Sequence, residues 1–96
     1  MPSYRVRLVP GLVQPGVDPA DVLPAAVEAG RELTAVEAGS IDIVRGNPVL
    51  TVRFEAPDDA AAVAIGRAVV VRVEGLVDVE ASRVRRRYGP RWHPVR

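Results

Sequence analysis

In residues 4–9, apolar residues occupy every second position and basic residues stand between them. The apolar residues are Tyr4, Val6 and Leu8, and the basic residues are Arg5 and Arg7. A period of two places successive side chains on opposite faces of a β-strand, so the pattern predicts a half-buried strand. Pro10-Gly11 ends this strand, and a connecting loop is expected to follow.

Three further segments show the same alternation. Residues 40–44 and 49–55 are separated by the turn-forming sequence Arg45-Gly46-Asn47-Pro48, so they predict a β-hairpin. Residues 77–81 predict a last strand. The alternation slips near Ser82, which indicates a β-bulge or the end of that strand.

Two other segments have apolar residues at helical spacing. The first is expected to begin at Asp21, which is a candidate N-cap. Its apolar stripe continues to Leu33, so the helix is predicted to end near residues 34–37. Gly39 follows as a break.

The second helix is expected to begin at Asp58-Asp59, where acidic side chains favour the positive end of the helix dipole, and to end at Gly75. Its last part, residues 69–73, is a β-branched run that would also suit a strand. We predict a helix there, because residues 58–68 alone would form a very short one.

The predicted order is strand, helix, strand, strand, helix, strand. Right-handed crossovers then give an α+β fold, the ferredoxin-like βαββαβ sandwich, with a four-stranded antiparallel sheet and two helices on one face. We assign residues 1–85 to this single domain and residues 86–96 to an Arg-rich C-terminal extension. The element order resembles that of ACT-type amino-acid sensors, PurS-type structural subunits and dimeric α+β barrels, but no group's motif matches residue by residue.

Charge is distributed unevenly along the 96 residues. Residues 1–80 hold all twelve acids and seven arginines, a net charge of −5, whereas residues 81–96 hold six arginines and no acid, a net charge of +6. The contrast predicts a C-terminal segment that binds anions or folds back onto the acidic body. Valine and alanine supply most of the apolar side chains, so the core is thin and a homo-oligomer, most simply a dimer, is expected.

The C-terminal segment contains the candidate partner-binding or anion-binding residues. Arginine pairs bidentately with phosphate, and Tyr or Trp can stack on bases. Three interpretations stay open: nucleic-acid or other polyanion binding, a structural or oligomer contact, and an unstructured tail. The candidates are Arg83, Arg85, Arg86, Arg87, Arg91, Trp92 and His93.

A second set of candidates lies on the sheet face that the helices leave open. Arg5, Arg7 and Arg53 are predicted on that face and could hold an acidic small molecule. The same face could instead remain solvated or pair with a second sheet.

The sequence contains no recognisable catalytic motif. No motif around its serines makes a nucleophile, and the single histidine has no neighbouring acid for a metal site. We therefore predict no catalytic residue, no metal and no cofactor. Without cysteine, a signal peptide or a bilayer-spanning apolar run, the chain is expected to be cytoplasmic and to make no membrane contact.

The preferred hypothesis is a non-enzymatic interaction module that self-associates and binds a partner, a protein or nucleic acid, through its Arg-rich C-terminus. One alternative is a nucleic-acid binding protein. Another is a small-ligand sensor or a small enzyme of the dimeric α+β-barrel type, with its pocket between the sheet and a neighbouring subunit.

Overall fold

The computed structural model describes residues 1–95 and shows two helices packed on one face of a five-stranded antiparallel sheet. The sheet order is β2-β3-β1-β4-β5. The elements are β1 (Ser3–Val13), a short 3₁₀ turn (Pro19–Asp21), α1 (Val22–Arg31), β2 (Val36–Val44), β3 (Asn47–Glu55), α2 (Asp59–Glu74), β4 (Val77–Tyr88) and β5 (Arg91–Pro94).

The predicted four-stranded sheet is wrong by one strand. β4 continues to Tyr88, and the chain then reverses at Gly89, whose positive φ of 57° favours glycine, into β5. Residues 86–94 are therefore not an extension beside the domain. They are the end of β4 and an edge strand of the sheet.

Three predicted boundaries also need correction. β1 runs through Pro10-Gly11 to Val13, because β4 pairs with it there across two register shifts. The slip in alternation near Ser82 reflects this irregular pairing between Val79 and Ala81, and β4 does not end there. β2 begins at Val36, and the next residue, Glu37, is a bulged residue without a partner on β3.

The helices follow the sequence pattern with two exceptions. The first is the predicted N-cap: Asp21 precedes α1, but its side chain accepts no cap hydrogen bond, and Asp18 instead caps the 3₁₀ turn by accepting from the Ala20 amide at 2.9 Å. Residues 69–73 are helical, as predicted, and α2 ends beside Gly75. Asp58 caps α2 by accepting a hydrogen bond from the Ala61 amide at 2.8 Å. The prediction that α1 reaches residues 34–37 is wrong, because the chain turns there and the Thr34 hydroxyl donates to the Glu55 carbonyl at 2.6 Å.

The core lies between the helices and the inner side of the three central strands. It consists mainly of small and β-branched side chains around the two buried aromatic rings of Tyr4 and Phe54, whose centroids lie 6.1 Å apart. At Gly66 the helix approaches the sheet so closely that a Cβ would lie 2.6 Å from Val84 Cγ2. Within residues 1–95, no helix is both long enough and apolar enough to cross a bilayer.

Candidate functional site: an arginine cluster on the open face

The alternation of β1 determines the chemistry of the open face, by which we mean the side of the sheet that the helices leave uncovered. Because Tyr4, Val6 and Leu8 are buried beneath the helices, Arg5 and Arg7 project from the opposite side. The predicted placement of these two arginines is therefore supported by the burial pattern of the strand.

Neighbouring strands add arginines in register. Arg5 lies opposite Arg53 on β3 and opposite Arg85 on β4, so three arginines form a row across three adjacent strands. Arg7 lies opposite Arg83 in the next row. With Arg87 near the end of β4, these residues make the arginine cluster: Arg5, Arg7, Arg53, Arg83, Arg85 and Arg87.

Trp92 reaches over this cluster from the edge strand β5. Its ring centroid lies 4.5 Å from the guanidinium carbon of Arg5, 5.4 Å from that of Arg53 and 6.0 Å from that of Arg87. Cation–π attraction holds the ring across the open face, where it is partly buried. The chain thereby combines positive charge and an aromatic surface in one place.

Most of the cluster's charge is not neutralised within the described part of the chain. Arg53 pairs with Glu37 at 3.3 Å. The other ion pairs among residues 1–95 involve Arg72 with Glu32 and Arg86 with Asp59, so five members of the cluster have no carboxylate within 4.0 Å. Arg87 Nε donates instead to the Gly89 carbonyl at 2.8 Å.

Burial and like charges both act on Arg5 at the centre of the row. Desolvation lowers the pKa of Arg5, and the neighbouring charges of Arg7, Arg85 and Arg53 lower it further. The Nε atoms of Arg5 and Arg53 are buried and have no hydrogen-bond partner in the described structure. An anion on this face would relieve the repulsion between the guanidinium groups.

The cluster borders a shallow apolar depression of about 200 Å³. Arg7, Arg83 and Arg85 line one side of it, and Val9, Val44 and Val49 line the other. This margin could receive the apolar part of a ligand whose acidic part faces the arginines.

Three of the predicted partner-binding residues lie away from the cluster. Arg86 faces the helices, where it pairs with Asp59 at 3.2 Å and lies over the rings of Tyr4 and Tyr88 at 5.7 and 4.9 Å. Alternation along β5 places Arg91 and His93 on the same side as Arg86, and His93 packs edge-on against Tyr88. The arginine-rich segment is therefore divided between the two faces of the sheet.

A second cluster, which no pattern in the sequence indicates, lies where Arg86 meets α2. The Tyr4 hydroxyl donates to Asp59 Oδ1 at 2.6 Å, which is the same oxygen that Arg86 contacts. Burial, followed by the contact with Asp59, raises the pKa of Tyr4 to about 12. The Tyr4 hydrogen bond and Arg86 lower the pKa of Asp59. This cluster joins β1, β4 and α2, and it does so beneath the open face.

Comparisons with known proteins identify no family for this chain. No protein-family model and no curated protein matches the chain. One solved structure that is similar is the crystal structure of a putative chlorite dismutase, with a TM-score of 0.49 and 13% sequence identity. The match covers 90% of this chain and 44% of that chain, so the present sequence spans less than half of the similar protein. At this level the similarity carries no functional inference.

Proposed function

We propose that this chain is a non-enzymatic binding module that self-associates and holds a polyanionic partner on its open face. Single-stranded nucleic acid is the partner class that we favour. The observation that carries the proposal is the set of five arginines that have no carboxylate partner among residues 1–95 and that share one face of the sheet with Trp92.

The shape and chemistry of the open face support an extended ligand. A strand of nucleic acid offers phosphates at regular spacing for the guanidinium groups and flat bases for an aromatic ring. A sheet face leaves room for several nucleotides, whereas a deep cleft would select a compact ligand. The row from Arg53 to Arg85 crosses three strands, about 10 Å at an inter-strand spacing of about 4.8 Å.

Fluorescence anisotropy with a labelled single-stranded 20-mer, measured at several salt concentrations, tests this proposal. If about five arginines contact phosphates, the logarithm of the association constant should fall by about 3.5 for each tenfold rise in salt. No binding of RNA or DNA at low salt would overturn the nucleic-acid proposal.

A charge-matched pair of variants locates the surface. Arg7→Gln/Arg85→Gln removes two charges from the cluster and should weaken binding by at least tenfold while making the salt dependence less steep. Arg31→Gln/Arg67→Gln removes the same charge from the exposed sides of the helices and should change affinity by less than about threefold. Equal losses in both variants would contradict a site on the open face. Point variants are preferable to truncation because residues 86–94 belong to the sheet.

Recognition of a small organic acid is a second candidate function, favoured by the apolar depression beside Arg7, Arg83 and Arg85. A ligand that binds only the folded chain raises its melting temperature by linkage. A thermal-shift screen of amino acids, nucleotides and organic acids should then show a concentration-dependent increase for an acid with an apolar end. A flat response across the screen would remove this candidate.

A further inference from the structure

The edge strand β2 leaves one whole side of its backbone without a strand partner. Eight of its nine residues pair with β3 on one side, and the other side borders no strand of the described chain. Three large apolar side chains near its end are exposed, Ile41 by 51%, Ile43 by 69% and Val44 by 41%. A long apolar edge of this kind favours pairing with another strand.

The other surfaces of the sheet suit a second copy poorly. β5, the opposite edge, has only four residues and ends at a proline, which cannot donate a ladder hydrogen bond. Face-to-face stacking of two open faces would oppose two arginine clusters, and like charges at short distance are destabilising. β2 is the one edge that combines length with exposed apolar side chains in residues 1–95.

We propose that two copies of this chain pair through β2, antiparallel, about a two-fold axis centred on Ile41. An antiparallel pair at a sheet edge is related by an axis perpendicular to the sheet, so both open faces lie on the same side. In an antiparallel pair, two residues directly opposite each other project from the same face of the sheet. The two-fold axis must therefore pass between two copies of the same residue, and a pairing shifted by one residue is excluded.

Charge and shape select Ile41 among the central positions of β2. An axis at Asp42 would place two carboxylates directly opposite each other, which is destabilising. An axis at Ser40 would set Ile43 against the charged end of β2 near Glu37. With the axis at Ile41, the two Ile41 side chains meet, and Ile43 lies opposite Gly39 of the second copy.

The Ile41-centred register also places complementary groups together. Beside Gly39 lie the partly buried α1 side chains Val27 and Leu23, which could cover Ile43 of the second copy. Arg45, in the turn after β2, reaches the end of the strand where Glu37 of the second copy lies.

This pairing has a functional consequence that rests on the proposed function. The two β1 strands would be separated by five inter-strand spacings, roughly 24 Å at about 4.8 Å each. One dimer would thus present two arginine clusters on one side, and a polyanion long enough to reach both should bind more tightly than a short one.

Cysteine crosslinking tests the register, because the chain contains no cysteine of its own. In the proposed dimer, the two residues at position 41 have Cα atoms about 4.5–5.5 Å apart, within the range of a disulfide. The two residues at position 43 are about 14 Å apart, since they lie two residues from the axis on opposite sides and are therefore separated by four residues along the strand direction. Under mild oxidation Ile41→Cys should form covalent dimers rapidly, while Ile43→Cys should form them no faster than Val71→Cys on an exposed part of α2.

Sedimentation equilibrium of the full chain tests the association itself. The unmodified chain should dimerise at micromolar concentration. Ile43→Lys should weaken dimerisation at least tenfold, and Val71→Lys, an equally exposed position on α2, should not. Circular dichroism and thermal melting establish that each variant is folded. A strict monomer at 200 µM (about the upper end of such experiments) or crosslinking at position 43 as fast as at position 41 would overturn the proposal.

Oligonucleotide length separates this inference from the proposed function. After division by the number of binding positions on each oligonucleotide, the unmodified chain should bind a 30-mer more tightly than an 8-mer by more than tenfold, and folded Ile43→Lys should lose that difference while still binding the 8-mer. If neither oligonucleotide binds but position 41 crosslinks, the dimer stands and only the nucleic-acid proposal fails. Retention of the full length dependence in a monomeric variant would overturn the two-cluster consequence.

Discussion

The two faces of this sheet are made by alternate residues of the same strands, but they differ in how completely their interactions are satisfied. On the face that the helices cover, Val6 and Leu8 are almost wholly buried, and the one buried hydroxyl, that of Tyr4, donates to Asp59. On the open face, Arg5 and Arg7 are partly buried without a carboxylate partner among the described residues.

This difference separates stability from binding. The covered face removes apolar side chains from water and therefore supplies most of the free energy of folding. The open face brings like charges together, and their repulsion raises the free energy of the folded chain. Binding of an anion there would lower that free energy. Substitutions on the two faces should consequently affect different measurements, even at adjacent positions.

The largest expected effect is loss of an aromatic ring from the covered face. Phe54 is fully buried, so Phe54→Ala should lower the free energy of unfolding by about 3–5 kcal/mol. Its neighbour Glu55 lies on the opposite side of the strand, and Glu55→Ala should cost less than about 1 kcal/mol. Urea denaturation monitored by circular dichroism compares them. Similar losses at the two positions would show that the faces do not differ in this way.

A smaller effect is expected where a polar group is buried on the covered face. Tyr4→Phe keeps the ring but removes the hydrogen bond to Asp59, and because the Asp59 side chain is half exposed to water, the bond should contribute about 0.5–1.5 kcal/mol. The free energy of unfolding should fall by that amount at neutral pH. Tyr88→Phe is the matched control, because that ring is about half exposed and should cost little.

The same pair of variants gives an alkaline pH dependence. The pKa of Tyr4 is raised in the folded chain from 10.0 to about 12, so the neutral hydroxyl is the form that folding favours. Its contribution is complete below pH 10 and is lost as the pH rises from 10 to 12. Urea midpoints at intervals across this range should fall for the unmodified chain and for Tyr88→Phe, and fall less for Tyr4→Phe. An identical decline in Tyr4→Phe would exclude Tyr4 as the source.

Asp59 gives the opposite dependence at low pH. Its pKa is lowered in the folded chain, so its contribution is present above its ordinary value of 3.8 and is lost as the pH falls through the folded value. Asp59→Asn should therefore flatten the decline of stability below pH 4. The measurement is the urea midpoint between pH 5 and pH 2, and an unchanged decline would contradict the assignment.

Much of the fold is predictable from the sequence because local periodicity and burial agree. The alternation around Val6 and the Gly75 break predicted elements that the structure contains, and the helix over residues 69–73 was confirmed. β5 was missed because its four residues, Arg91–Pro94, are too few to show a period and include a proline. Their pairing depends on the reversal at Gly89, which brings them beside β4.

The site was predictable strand by strand but not as an assembly. Alternation placed Arg5 and Arg53 on the open face, whereas Arg85 was predicted to lie beyond the last strand, residues 77–81, and the arginines from residue 86 onwards were assigned to a separate extension. Only the continuation of β4 to Tyr88 brings Arg85 beside Arg5 and turns Arg86 towards Asp59. The contact between Tyr4 and Asp59 joins residues 55 positions apart, and no spacing in the sequence indicates it.

The smallest expected effect is a dependence of stability on salt that originates in the open face. Salt screens the repulsion around Arg5, so the melting temperature should rise by a few degrees between 20 and 500 mM NaCl, corresponding to less than about 1 kcal/mol. Arg7→Gln/Arg85→Gln, which removes two of the charges nearest to Arg5, should reduce this rise by about half. Arg31→Gln/Arg67→Gln should retain it, because those exposed arginines lie on the helices. A melting temperature that falls with salt in the unmodified chain would mean that attraction within ion pairs contributes more than repulsion within the arginine cluster. The open face would then not be the destabilising side of the sheet.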